Sequence, residues 1–276
     1  MDNFTRMLGA ACGDIAGSVY EGSGYKQKPK SLYHPRCRFT DDTVMTCAVA
    51  QGLMEGLREV PTNRMGNPEA EAILSKKIVE AMRFYGRKYP YAGYGGSFVR
   101  WLRMDEPAPY GSWGNGSAMR ASFAGWAAKS LAEAEWLGAL TAAVTHNDPH
   151  GITGAKVVAG CIYLLRDGGD KAALQAYAGQ YYDLHFTLDE IRPHYKFDVS
   201  CQGSVPQAIK AFLEEEDFPS VIAAAISLGG DSDTIAAIAG SIAEVYYPMG
   251  EDLRQWVLSK LPDDLRQCLS LAAAWE

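Results

Sequence analysis

The sequence predicts an all-α protein, on three observations. Apolar residues recur at helical spacing along most of the 276 residues. No stretch keeps the strict alternation that marks a half-buried strand. Ala-rich runs such as AAVTHNDPHGITGAKVVAGCIYLL suit close helix–helix packing better than a sheet.

In chain order the periodic segments are Asn3–Ser18, Asp42–Leu57, Pro68–Tyr85, Ser117–Ala128, Leu131–Val144, Pro149–Leu165, Ala172–Tyr182, Val205–Leu213, Ser220–Leu228, Asp231–Val245 and Leu253–Lys260. Gly and Pro gather between them, in YEGSGYKQKPKSLYHPR, YPYAGYGGS and EPAPYGSWGNGS, which read as loops. Asp148-Pro149 is a helix start, with Asp as N-cap and Pro at the first helical position; Thr145, His146 and Asn147 therefore lie in a loop. No long polar linker interrupts the pattern, so residues 1–276 read as a single domain.

Hydrophobic residues make up 47% of the chain and charged ones 21%, a globular composition large enough for a substantial core. Lys and Arg total 26 against 33 Asp and Glu, a net charge of −7, which argues against a nucleic-acid backbone or an anionic membrane as the main partner. The N-terminus lacks a basic region ahead of an apolar run, and no segment approaches the roughly 20 apolar residues of a spanning helix. A soluble, cytoplasmic protein is expected. Its six cysteines, Cys12, Cys37, Cys47, Cys161, Cys201 and Cys268, are scattered without a C-x-x-C and read as free buried thiols.

One short pattern recurs: TDDT at Thr40–Thr43 and DSDT at Asp231–Thr234, each before a small-residue helix. Either alone is explained by helix capping and by the preference of acids for a helix's first turn. Together they exceed what capping requires. If the segments meet, Asp41, Asp42, Asp231 and Asp233 form a group that cannot stay ionised without counter-charge, and divalent cations are the economical answer. Carboxylate and hydroxyl oxygens without clustered Cys or His favour Mg²⁺, Mn²⁺ or Ca²⁺ over zinc, and two ions match four acids. A zinc site on His146 and His150 is disfavoured because Pro149 interrupts the helix that would align them; His150 is expected at the surface.

Between the clusters, PYGSWGNGSAMR (Pro109–Arg120) places three glycines around Ser112, a backbone cradle suited to a diphosphate or simply a tight connection. Trp113 within it, and Tyr91 and Tyr94 in YAGYGGSF, suit stacking on a base or ribose, or packing in the core. Glu21, closing GDIAGSVYE, reads as a solvated acid or, on a mobile loop over a metal site, as a general acid or base.

With GDIAGSVYE, FTDDTVMT, AGYGGSF, GSWGNGSAMR, Thr145-His146, SCQGSVPQAIKAFL and GGDSDTIAAIAGSIAEVYY in this order from about position 7 to 247, the sequence resembles the ADP-ribosylglycohydrolases. These include the dinitrogenase-reductase-activating glycohydrolases and the ADP-ribosylarginine and ADP-ribosylserine hydrolases. The resemblance implies a compact all-α domain holding two Mg²⁺ (Mn²⁺ is also admitted), with Thr40, Asp41, Asp42, Asp231, Asp233 and Thr234 as ligands. It implies diphosphate contacts from Gly111 and Ser112, an aromatic near the ligand at Trp113, the distal ribose along Gly93 and Gly95, and His146 in the ligand cleft. Glu21 matches the family's mobile-loop glutamate. One departure stands out: where the dinitrogenase-reductase-activating branch has a catalytic aspartate just before the glycine-serine of the GYGGS region, this chain has Tyr94 and no acid nearby. Glu21 or Asp41, or a metal-bound water, then takes the acid/base role.

The reaction so implied is hydrolysis of the bond between C1″ of an ADP-ribosyl group and its acceptor, with oxocarbenium character at C1″ and metals that orient the ribose hydroxyls and acidify water. The expected partners are an ADP-ribosylated protein or small molecule, with ADP-ribose as product, nucleic-acid-linked ADP-ribose among the acceptors allowed, and no membrane. The alternatives are a non-catalytic ADP-ribose-binding or structural protein of the same fold, such as a jellyfish lens crystallin, and a metal-dependent phosphohydrolase releasing AMP. Cys37, Lys26, Lys28, Lys30 and Arg36 around the Glu21 loop read as a solvated cluster or as specificity elements.

Overall fold

A computed structural model describes residues 6–275, among which fourteen helices occur: α1 (Gly9–Gly17), α2 (Asp41–Glu59), α3 (Pro68–Lys88), α4 (Gly96–Arg103), α5 (Ser122–Ala127), α6 (Leu131–Ala143), α7 (Pro149–Arg166), α8 (Lys171–Ala178), α9 (Leu188–Ile191), α10 (Cys201–Glu214), α11 (Phe218–Ile226), α12 (Ser232–Tyr246), α13 (Glu251–Lys260) and α14 (Asp263–Ala273). An isolated bridge between Gly114 and Ser200 is the sole strand-like pairing among the described residues. The all-α expectation holds.

Local chemistry fixes most helix starts. Asn67, Ser130, Asp148, Asp170, Ser200 and Asp217 each accept a backbone N–H of the helix they precede, and Thr187 and Glu190 form a reciprocal capping box on α9, satisfying donors that the first turn leaves open. Asp148 and Pro149 start α7 as expected.

Several boundaries differ from the sequence reading. The expected start at Asn3 lies outside the described residues, and residues 6–8 are not helical; Met7 takes a positive φ of 69° and α1 begins at Gly9. The segment expected from Ser117 is helical only from Ser122, because Ser117 turns back to donate to Gly151 O. Helix α8 stops at Ala178, four residues before the expected Tyr182. Three helices were not anticipated: α4 and α9 are too short to show a period, whereas α14 buries Leu265, Cys268, Leu269 and Ala272 at helical spacing.

Helix α12 lies at the centre, packed by α1, α11, α10 and α7, and every residue from Ser232 to Ala243 is buried. A helix apolar on all sides belongs in an interior. Its closest neighbour is α1, where Gly9, Gly13 and Gly17 face it; a Cβ on Gly13 would lie 2.0 Å from Ala236 O, so only glycine permits this approach. Helix α2 packs on α3 and is covered at its far side by α14. The N-terminal ends of α2 and α12 thereby meet beside α1. All six cysteines are buried and free, and no helix among the described residues is long and apolar enough to cross a membrane.

Candidate active site

A cleft of about 410 Å³ opens where those two helix starts meet, lined by Glu21, Asp41, Asp42, Asp231, Asp233 and Thr234 on one side and by Ser112, Asn115 and His146 on the other. The sequence separates the two acidic motifs by some 190 positions; the α1–α12 contact and the packing of α2 bring them together.

Capping does not explain these acids. Thr40, not Asp41 or Asp42, is the N-cap of α2, its hydroxyl oxygen 3.5 Å from the Asp42 N–H. Asp231 sits at the N-cap of α12 yet makes no side-chain capping bond; it instead accepts from Asn115 Nδ2 at 2.7 Å. Asp233 Oδ1 does accept the N–H of Thr234 at 3.0 Å. Asp42 Oδ2 takes the Thr234 hydroxyl at 3.2 Å and lies 3.3 Å from the Thr40 hydroxyl, while Asp42 Oδ1 is buried with no partner.

Two groups of three carboxylates bring ligand atoms within 4.8 Å of one another: Asp14, Asp42 and Asp233, and Glu21, Asp231 and Asp233. Asp233 belongs to both. Asp41 belongs to neither; it lines the cleft beside them, its N–H donating to Ala92 O and its Oδ1 facing Gly93. Asp14, in the middle of α1, escaped the sequence reading because an acid inside a helix carries no periodic signal. Its two oxygens accept the N–H and hydroxyl of both Thr40 and Thr43, so its lone pairs are filled and it anchors the start of α2 from beneath.

None of these six acids has an ion-pair partner among the described residues. Burial, and then the charge of Asp14, push Asp41 up to about 7. Burial followed by neighbouring carboxylates pushes Asp42 and Asp233 well above the usual range. Asp231 rises through burial, opposed by Asn115, and Glu21, exposed at the mouth, rises through partial desolvation and Asp231. An all-oxygen donor set, an orphaned buried carboxylate oxygen and uncompensated negative charge fit a hard divalent cation.

The remaining expected residues separate into two sets. Gly93, Gly95, Ser112 and His146 line the cleft; Gly111, Trp113 and Thr40 do not. Gly111 donates its N–H to Asn147 Oδ1 at 2.7 Å and Gly114 to Ser112 Oγ at 3.2 Å, so the glycine loop's N–H groups are not all free. Trp113 is half exposed, and Tyr91 is 96% exposed. Tyr94 keeps a buried hydroxyl without a partner. His150 is exposed and does not join His146. Around the Glu21 loop, Lys26 donates to Tyr195 O and Leu228 O, Lys28 pairs with Glu215, and Cys37 is buried, whereas Lys30 and Arg36 are exposed; the segment is pinned at Lys26 and Lys28 and solvated at the other two. Gly229, at φ 63°, permits the contact that holds it, since a Cβ there would lie 2.2 Å from Tyr25 O. Phe98, Tyr110, Asn115, Arg120 and Phe197 also line the cleft; the sequence reading singled out none of them.

Comparison with known proteins identifies the family and the fold. The family model for ADP-ribosylglycohydrolases matches residues 5–275. The human ADP-ribosylhydrolase ARH3 is 25% identical, over 91% of this chain and 86% of its own length. The ADP-ribosylarginine hydrolase Tri1 of Pseudomonas putida (strain GB-1) is 24% identical, over 62% of this chain and 56% of its own. A solved structure of an ADP-ribosylglycohydrolase-related protein complex superposes with a TM-score of 0.66, covering 99% of this chain and 97% of that one at 21% identity, a likeness of fold.

Proposed function

Since the chain belongs to the ADP-ribosylglycohydrolase family, we propose that it is a single-domain, divalent-cation-dependent hydrolase that releases ADP-ribose from a modified acceptor. The observation that carries this reading is the pair of carboxylate groups sharing Asp233 at the cleft floor. It supports two Mg²⁺ sites, with Mn²⁺ as substitute, held by Asp42, Asp231 and Asp233 with Glu21, Asp41 and the Thr40 and Thr234 hydroxyls beside them. When bound, the ions would supply Lewis-acid chemistry beside these acids.

The chain's own residues divide the remaining work. Ser112, Gly93, Gly95 and His146 bound the space for the ADP-ribosyl group, with Gly111 and Trp113 at its rim. Glu21 at the mouth, or Asp41 beside the carboxylate groups, moves the proton. The bond from C1″ to the acceptor breaks, water adds OH to C1″ and H to the acceptor, and the diphosphate stays intact. The acceptor, a protein side chain, a small molecule or a nucleic-acid end, meets the Glu21 end of the cleft. Six free thiols favour a reducing compartment such as the cytoplasm.

The test is mass-spectrometric product analysis on arginine-, serine- and nucleic-acid-linked ADP-ribose, with Mg²⁺, with EDTA, and with Asp42→Ala or Asp233→Ala protein. Metal-dependent release of intact ADP-ribose is expected from one substrate. Binding of ADP-ribose without release from any substrate would leave a binding module, and AMP as product would overturn the glycosidic mechanism.

A further inference from the structure

Arg120 is 1% exposed, lines the cleft and has no ion-pair partner among the described residues. Its Nη2 donates to Thr141 O at 3.1 Å and to Thr145 Oγ1 at 2.7 Å. Thr145 Oγ1 in turn lies 2.7 Å from His146 Nδ1. A guanidinium can only donate, so it occupies a lone pair of the threonine oxygen and leaves the hydroxyl proton to find an acceptor. No carbonyl or carboxylate among the described residues takes it; His146 Nδ1 is the acceptor in line.

An accepting Nδ1 puts the imidazole proton on Nε2. No protein group among the described residues pairs with Nε2, and it stands behind Gly114 and Gly116, where added Cβ atoms would lie 3.6 and 3.2 Å away. The absent side chains leave the nitrogen open to the cleft. Arg120 is the charged group that acts on His146, and the Tyr110 ring, 5.8 Å away between centroids, is its aromatic neighbour. Burial and then the guanidinium charge keep the imidazole neutral, holding its pKa down to about 2. The Tyr110 hydroxyl also faces Thr145 and is the competing acceptor.

We propose that Arg120 and Thr145 are positioning residues that lock His146 as a neutral imidazole offering its Nε2–H to an oxygen of the bound ADP-ribosyl group. The inference rests on the reading of the cleft given above for its ligand, but not for its tautomer. A free Nε2 lone pair would repel a phosphate or hydroxyl oxygen lone pair, whereas a fixed N–H attracts it.

The tautomer is read by long-range ¹H–¹⁵N correlation spectra of His146, assigned with a His146→Gln variant, from pH 5 to 8. Unaltered protein should show a pure Nε2–H imidazole that does not titrate. Thr145→Val should give mixed tautomers and roughly tenfold weaker ADP-ribose binding by calorimetry, the scale of one hydrogen bond to a charged group. Thr145→Ser should restore both, and Arg120→Met should mix the tautomers if it folds. An Nδ1–H tautomer in the unaltered protein, or a pure Nε2–H in Thr145→Val, overturns the relay. If the unaltered protein fails to bind ADP-ribose, the ligand half of the proposal falls with the functional reading, while the spectra decide the relay independently.

Discussion

Asp42 shows how far a single residue can constrain a site. One oxygen accepts from Thr234, the other is buried without a donor, and no cation among the described residues pairs with it; an isolated carboxylate is not kept there without an ion or a proton. Asp42→Asn should therefore raise stability in EDTA by on the order of 1 kcal/mol, the scale of an ordinary single substitution, because it removes a buried unpaired charge, and should abolish the added stabilisation by Mg²⁺. Thermal melts of both proteins with EDTA and with millimolar Mg²⁺ check this; an unchanged Mg²⁺ shift in the variant would sink the assignment of Asp42 as a ligand. Glu21 makes the opposite case. It is exposed and makes no side-chain hydrogen bond among those described, so Glu21→Gln should leave apo stability within about 0.5 kcal/mol yet lower kcat by roughly 10²–10⁴ if it moves the proton. Steady-state kinetics beside melts in EDTA separates the two effects, and an unaltered kcat would transfer the role to Asp41.

At the scale of elements, the contact of α1 with α12 sets the distance between Asp14 and the acids of the C-terminal motif. A Cβ on Gly13 would strike backbone at 2.0 Å, and neither partner is a flexible side-chain end. Gly13→Ala should cost about 3 kcal/mol or more, at the upper end of overpacking, and weaken Mg²⁺-dependent stabilisation; urea unfolding with a midpoint like the parent's would refute the packing account. Asp14→Asn replaces an acceptor-only group facing four donors with one that must point N–H at some of them, for an expected loss of about 1–3 kcal/mol, measured the same way. These two residues also mark the limit of legibility in the sequence. Helices α2, α3 and α7 were readable because long periodic runs begin at caps, and the two acidic motifs because their acids outnumber capping needs. Asp14 was not readable, since its partners Thr40 and Thr43 come from another element and only tertiary structure supplies them. The same holds for Arg120 and Asn115, polar residues whose meaning lies in what the fold places opposite them. Helix α14 was readable and overlooked: Leu265, Cys268, Leu269 and Ala272 form an ordinary apolar stripe behind Pro262.

For the whole molecule, the proposed ion site, built from residues near both ends of the chain, would make metal binding and folding one equilibrium. Five buried or half-buried aspartates, Asp14, Asp41, Asp42, Asp231 and Asp233, have folded-state pKa values raised above their ordinary values by burial and, for most of them, by mutual repulsion. In the unfolded chain they titrate near 4. Above that pH the folded, ion-free state binds more protons than the unfolded one, so stability is fully present below about pH 4 and is lost as pH rises through the folded values, of which Asp41 lies at about 7. In EDTA the unfolding midpoint should thus fall between pH 5 and pH 8. Divalent cations bind the deprotonated site of the folded state alone and add stability as RT ln(1 + [Mg²⁺]/Kd), a gain that grows over the same interval. With millimolar Mg²⁺ the pH slope should flatten or reverse, and the difference between the Mg²⁺ and EDTA curves should widen toward pH 8. Calorimetric scans at pH 5, 6.5 and 8 under both conditions measure it. Parallel curves would mean that the carboxylates share protons without an ion, and the cleft would then lack the charge that the proposed hydrolysis requires.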